Sequence, residues 1–127
     1  NKMSQDIVAD ALNQIMNIRR AGKEEVVVKR HSKLLLSVLA IAKMKSYVKE
    51  YKAAPENELK ITLGKVNSCG AIKPRYLIQV KDIEKYVTRY LPSRNIGILI
   101  ISTSQGLMTH QTAIDKNLGG SLIAFMY

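Results

Sequence analysis

The 127-residue chain has no tryptophan, one phenylalanine, one cysteine and only ten acidic residues. Each shortage closes off a class of function. A lone Cys69 cannot form an internal disulfide, which fits a reducing compartment such as the cytoplasm. One cysteine and two scattered histidines, His31 and His110, do not make a metal site, and no metal or other cofactor is expected. The absent Trp and single Phe leave no broad aromatic platform for stacking bases. No apolar run approaches the length of a membrane span. The opening "NKMSQDIVADALNQ" mixes charge into its apolar pattern, unlike a secretory leader.

What is present is positive charge. Twenty Lys and Arg stand against the ten acids, for a formal net charge of +10. That excess is costly in self-repulsion unless a polyanion neutralises it. Nucleic acid is the first candidate and an anionic membrane surface the second; a solvated basic protein without a partner is the third. Hydrophobic residues make up 46%, an ordinary share for a globular protein. The length suits one compact domain or two small lobes.

Periodicity predicts a helix over residues 4–20, with Ile7, Val8, Ala11, Leu12, Ile15, Met16 and Ile18 near a 3.6 period. Ser4 or Asp6 caps its start and Gly22 its end. Arg19, Arg20 and Lys23 complement the helix dipole, a structural reason that competes with binding. A β-branched strand follows at 24–29. Ser32 then caps a second helix within "HSKLLLSVLAIAKMKSY", burying Leu35, Val38, Leu39 and Ala42. Strands at 47–51 and 59–63 flank the turn "AAPENE", completing an α-β-α-β-β lobe.

The second half opens on "NSCG" and the strand "AIKPRYLIQV", which Pro74 confines to an edge or a late start. "DIEKYVTRYLP" reads as a helix capped by Asp82 and stopped by Pro92, with Ile83, Tyr86, Val87 and Tyr90 inward. "NIGILIIST" is the most buried-looking strand. Thr109 caps a short helix in "HQTAIDKN", "LGG" closes it, and "SLIAFMY" is the last strand. The expected fold class is α/β, of the α+β type. It has two small lobes, residues 1–64 and a mostly β lobe at 65–127, with a weak boundary near Gly64 to Gly70.

Ser102, Thr103 and Ser104 follow the buried strand, and with His110 they raise the question of a nucleophile and base. The chain lacks G-x-S-x-G and an evident orienting acid, so no catalytic residue is assigned. "GKVNSCG" and "STSQG" lack the spacing of a phosphate-binding loop, and no small-molecule substrate is implied. Basic clusters at "RRAGK", "KRHSK", "KMK" and "KPRY" offer phosphate contacts, or else solvated faces. No recognition-helix or zinc-finger signature appears, which leaves structured RNA read by shape, phosphates and 2′-OH groups. Short hydroxyls fit that use, because each both donates and accepts. They fit a self-satisfied turn equally well.

Longer motifs carry a resemblance. "GILIISTSQGLMTHQTA" followed by "NLGGSLIAFMY" resembles the S-eight family of small-subunit ribosomal proteins. "DIVADALNQIMN", "SKLLLSVL" and "CGAIKPRY" are similar to other family segments, and "YLPSRNIGILI" looks like the archaeal and eukaryotic branch, archaeal in particular. The likeness runs through nearly the whole chain. It implies a two-lobed, non-enzymatic protein of the cytoplasmic ribosome. Such a protein binds a helix in the central domain of small-subunit rRNA and supports assembly and translation, beside neighbouring ribosomal proteins. Some relatives also bind their own mRNA.

Carried onto this chain, the family's contacts fall on Ser102, Thr103, Ser104, Gln105 and Gly106, and on Gly119, Gly120 and Ser121. Lys23, Arg30, Lys33, Lys73 and Arg75 are the expected phosphate contacts. Ile7 stands where a Pro is frequent, Ser46 where a Gly is usual, and Ser121 and Thr112 where acids occur. A basic DNA-binding or architectural protein is the alternative reading.

Overall fold

Asp6 ends the extended entry to the first helix and accepts the Ala9 N–H (3.2 Å), so α1 runs Ile7–Arg20. A computed structural model describes residues 6–127, so the alternative cap Ser4 lies outside the described residues. α1 buries Val8, Ala9, Ala11, Leu12 and Ile15. Gly22 then adopts φ +77°; its N–H donates to Arg19 O and the Lys23 N–H to Ile18 O. This is a Schellman ending, in which a left-handed residue satisfies the last carbonyls.

The same device closes two more helices without glycine. α2, Lys33–Met44, starts at Ser32, whose hydroxyl accepts the Leu35 N–H (3.2 Å), and buries the expected Leu35, Val38, Leu39 and Ala42. It ends through Ser46 at φ +70°, with Tyr47 N–H bonded to Ala42 O. Ser46, at the position where the resemblance implies Gly, takes the left-handed conformation and stores backbone strain there. α4, His110–Asp115, ends through Asn117 at φ +57°. The expectation that "LGG" closes this helix is corrected, because Asn117 does so and the glycines serve the sheet.

The chain divides into two compact units, Asn1–Cys69 and Gly70–Tyr127. In the first, α1 and α2 accompany an antiparallel sheet in the order β1 (Glu25–Val28), β3 (Glu58–Leu63), β2 (Val48–Ala54). β2 is longer than the sequence predicts. The turn shrinks to Pro55–Asn57, where Glu56 and Asn57 both take positive φ, the geometry a right-twisted hairpin prefers.

In the second unit the sheet order is β4 (Cys69–Ala71), β8 (Gly120–Met126), β6 (Ile98–Thr103), β7 (Gly106–Thr109), with β5 (Leu77–Ile78) also on β8. Pro74 breaks the single predicted strand "AIKPRYLIQV" into β4 and the two-residue β5. A 3-10 turn, Val80–Asp82, leads into α3, Ile83–Tyr90. The predicted Asp82 cap is corrected: its side chain makes no capping bond, because the 3-10 turn already carries the chain into the helix. Ile83 and Val87 pack on Leu99, Ile101, Met108 and Leu122 to form this unit's core.

Candidate nucleic-acid interface

Strand β6 sets the position of the hydroxyl triplet. Ile98, Leu99, Ile100 and Ile101 are all buried, so both faces of the strand are covered, and β7 and β8 flank it. Ser102 and Thr103 emerge half-buried and Ser104 is exposed. Thr103 pairs with Gly106, leaving Ser104 and Gln105 as a two-residue loop. Gly106 sits at φ +105°, a conformation that an L side chain resists.

Within this loop the three hydroxyls separate by role. Thr103 Oγ1 donates to Gly106 O (2.8 Å) and accepts from the Gln105 N–H (3.0 Å). Its bonding is spent on the turn. The hydroxyls of Ser102 and Ser104 make no hydrogen bond among the described residues.

Register adds a second feature. Ser102 stands opposite Ser121 on β8 and opposite Leu107 on β7, and Ser121 stands opposite Leu77 on β5. Paired residues of an antiparallel ladder share a face. Leu77, Ser121, Ser102 and Leu107 thus form a row across four strands, roughly 15 Å long at the usual strand spacing. The opposite face carries Ile78, Leu122, Ile101 and Met108 into the core against α3. Sequence reasoning singled out neither leucine. β5, with two residues, has no alternation to read, so only the ladder register places Leu77 in the row.

Gly119 and Gly120 have structural duties. A Cβ on Gly120 would strike the Ser102 carbonyl oxygen, and one on Gly119 would meet Ile78 O at 2.5 Å. These glycines let the three strands close up behind the serines. Gly106 has open space around it and is exposed.

The five expected phosphate contacts are spread over four places along the chain. Lys23, Arg30 and Lys33 are exposed at the end of α1, just beyond β1 and in the first turn of α2. Lys23 lines a cleft of about 390 Å³ with Arg19, Lys65 and Glu24, and Arg19 Nε donates to Val66 O (3.0 Å) there. Arg30 and Lys29 border a smaller hollow of about 190 Å³ between α1 and β1. Lys73 and Arg75 lie exposed on the turn that leads to Leu77. Charge is lopsided in the second unit. Its acids are Asp82, Glu84 and Asp115 alone, against seven Lys and Arg, and Glu84 is paired with Arg94 (3.2 Å).

The catalytic alternative has no geometry behind it. His110 is 3% exposed and its Nδ1 accepts the Leu99 N–H (3.1 Å). Leu99 is three positions from Ser102, roughly 10 Å along a strand. The Cys69 thiol is buried and donates to Leu12 O (3.7 Å), and desolvation pushes its pKa up to about 12. No cluster of metal-ligating side chains occurs among the described residues, and none of the helices there is long and apolar enough to cross a membrane. The second unit's aromatics are spent on one another: Tyr76 on Tyr86, and Tyr90, Phe125 and Tyr127 in a stacked series.

Two small antiparallel sheets with helices, an excess of basic residues and two unspent serine hydroxyls at the end of β6 suit a scaffold for binding. Similarity to known proteins agrees with that class. The family described as Ribosomal protein S8 matches residues 6–127. Two proteins of Schizosaccharomyces pombe, "Small ribosomal subunit protein uS8A" and "uS8B", are each 36% identical over 127 aligned residues. The alignments cover 97% of this chain and 98% of theirs. The chain belongs to the ribosomal protein S8 family. It is a structural, non-enzymatic component of the small, cytoplasmic ribosomal subunit and works in translation.

Proposed function

We propose that the chain binds a helix of the central domain of small-subunit rRNA and supports assembly of the subunit around it. Residues 65–127 read the RNA. Ser104 at the hairpin tip, and Ser102 and Ser121 side by side on β6 and β8, meet 2′-OH groups and base edges of a shallow minor groove. Gln105 and the bare backbone at Gly106 come within reach of the same groove. Residues 1–64 add phosphate contacts through Lys23, Arg30 and Lys33, and Lys73 and Arg75 do so beside β5. Neighbouring ribosomal proteins share the assembled site.

The observation that carries this reading is the pair of unspent hydroxyls, Ser102 and Ser104, held at the end of a buried strand in an acid-poor unit. Phosphates alone would leave DNA and RNA equally bound, whereas 2′-OH contacts discriminate.

The test is footprinting of small-subunit rRNA by the purified protein, followed by titration of the protected fragment and its DNA counterpart at matched salt. Protection of one central-domain helix and strong preference for RNA are expected. Comparable affinity for duplex DNA would instead support the architectural DNA-binding alternative.

A further inference from the structure

Leu77 is 83% exposed, the most exposed large hydrophobic side chain among the described residues. Single exposed leucines are common and need no explanation when they ride on mobile loops. Leu77 is held differently. The Tyr76 ring before it packs at a tilt against Tyr86 (5.6 Å between ring centroids), and the Tyr76 carbonyl accepts the Leu122 N–H (2.9 Å). Ile78 after it is buried in the core. Both neighbours point inward, so the backbone at Leu77 is anchored on two sides and its side chain is aimed outward.

The direction of aim matters. Leu77 is in register with Ser121, which is in register with Ser102. The leucine therefore ends the row whose hydroxyls the RNA reading uses, on the same face and one strand spacing from Ser121. Charge around it favours the same occupant. No acid occurs from Leu59 to Lys81, while Lys73 and Arg75 precede Leu77 by four and two residues. An apolar side chain exposed on an acid-free, cation-bearing segment suits a polyanion that also presents an apolar surface. RNA does so wherever a nucleotide is unpaired and its base and ribose are splayed from the stack.

We infer that Leu77 is an RNA-contact residue, packing against the base and ribose of one unpaired nucleotide next to the groove that Ser102 and Ser121 read. The inference rests on the RNA reading above and adds to it a structural requirement on the RNA. The bound helix carries an unpaired nucleotide on the β5 side of the hydroxyl row.

Leu77→Ser and Leu77→Met, in the full chain, test it against the small-subunit rRNA fragment protected in footprinting. Both variants keep the wild-type melting temperature, since the side chain supports no core. Leu77→Ser loses about tenfold in affinity, the scale of a buried apolar side chain. Leu77→Met stays near wild type, and the salt dependence of all three is parallel. One abasic substitution at an unpaired nucleotide weakens the wild type by a similar factor and weakens Leu77→Ser no further.

Wild-type affinity for Leu77→Ser, alongside weakened binding by Ser102→Ala, overturns the Leu77 inference and leaves the RNA reading standing. Unchanged RNA binding with failed incorporation of Leu77→Ser into reconstituted subunits also overturns it, by assigning the side chain to a protein neighbour. Failure of the wild type itself to prefer RNA over DNA removes the reading on which both rest.

Discussion

The separation of Thr103 from Ser104 yields the most discriminating prediction. The two hydroxyls are adjacent in sequence and alike in chemistry. Thr103 Oγ1 is committed twice inside the hairpin, at 2.8 and 3.0 Å, while Ser104 Oγ is exposed and unspent. Ser104→Ala therefore removes nothing from the free protein, and its stability changes by less than about 0.5 kcal/mol. In the complex it deletes one interface hydrogen bond, about 1–2 kcal/mol, or roughly 5–30-fold in Kd. Thr103→Val, nearly isosteric, breaks both turn bonds. Water replaces them in part at this exposed site, so the net loss is about 1 kcal/mol of local stability. Amide hydrogen exchange at Gln105 reads that loss directly, as roughly fivefold faster opening of the turn. The expected pattern is crossed: unchanged exchange and weak RNA binding for Ser104→Ala, faster exchange and a lesser loss of affinity for Thr103→Val. The opposite pattern, or an effect of Ser104→Ala on the salt slope, refutes the assignment of the two roles.

Other outcomes follow from single features. Lys23→Gln flattens the plot of log affinity against log salt by nearly one unit, roughly the 0.7–0.9 expected for one lost phosphate contact, as measured by titration at several salt concentrations. The Cys69 thiol resists iodoacetamide at pH 8 in the folded protein and reacts promptly in guanidinium. Its folded pKa is raised to about 12 from 9.0, so the stability from its neutral form is present below pH 9 and is lost as pH rises toward 12. Ser46→Gly relieves the positive φ at the end of α2 and raises stability by about 0.5–1 kcal/mol in thermal melts, whereas Ser46→Val lowers it.

Elements dictated by local chemistry were legible in the sequence. Ser32, Thr109 and Asp6 each begin a helix because a short oxygen side chain can reach a free N–H, and their side chains make those bonds here. The buried face of α2 followed from its 3.6 period, and β6 from its unbroken apolar run. Features set by space were not legible. Sequence alone cannot tell a glycine needed for its φ from one needed for room, so "LGG" reads as helix closure although Gly119 and Gly120 yield to carbonyls of β5 and β6. Asp82 looks like a cap until the 3-10 turn before it is known. The missing acid at Thr112 is answered by a hydroxyl pair, Thr109 Oγ1 donating to Thr112 Oγ1 at 3.2 Å. At the candidate site the residue types were legible, but which hydroxyl was already occupied depended on the two-residue loop. Leu77 depended on register across β5 and β8, a relation between segments more than forty residues apart.

The burial of β6 on both faces also bears on how a ligand is gripped. A loop of two residues hung from a strand covered on both sides has few conformations to surrender. Serine carries little rotamer freedom beyond one torsion. The ordering entropy that usually offsets interface hydrogen bonds is thus largely spent during folding. Preorganisation of this kind favours a long-lived complex, so weakening β6 packing two residues before Ser102, as with Ile100→Val, would shorten residence time on the RNA without deleting any contacting side chain.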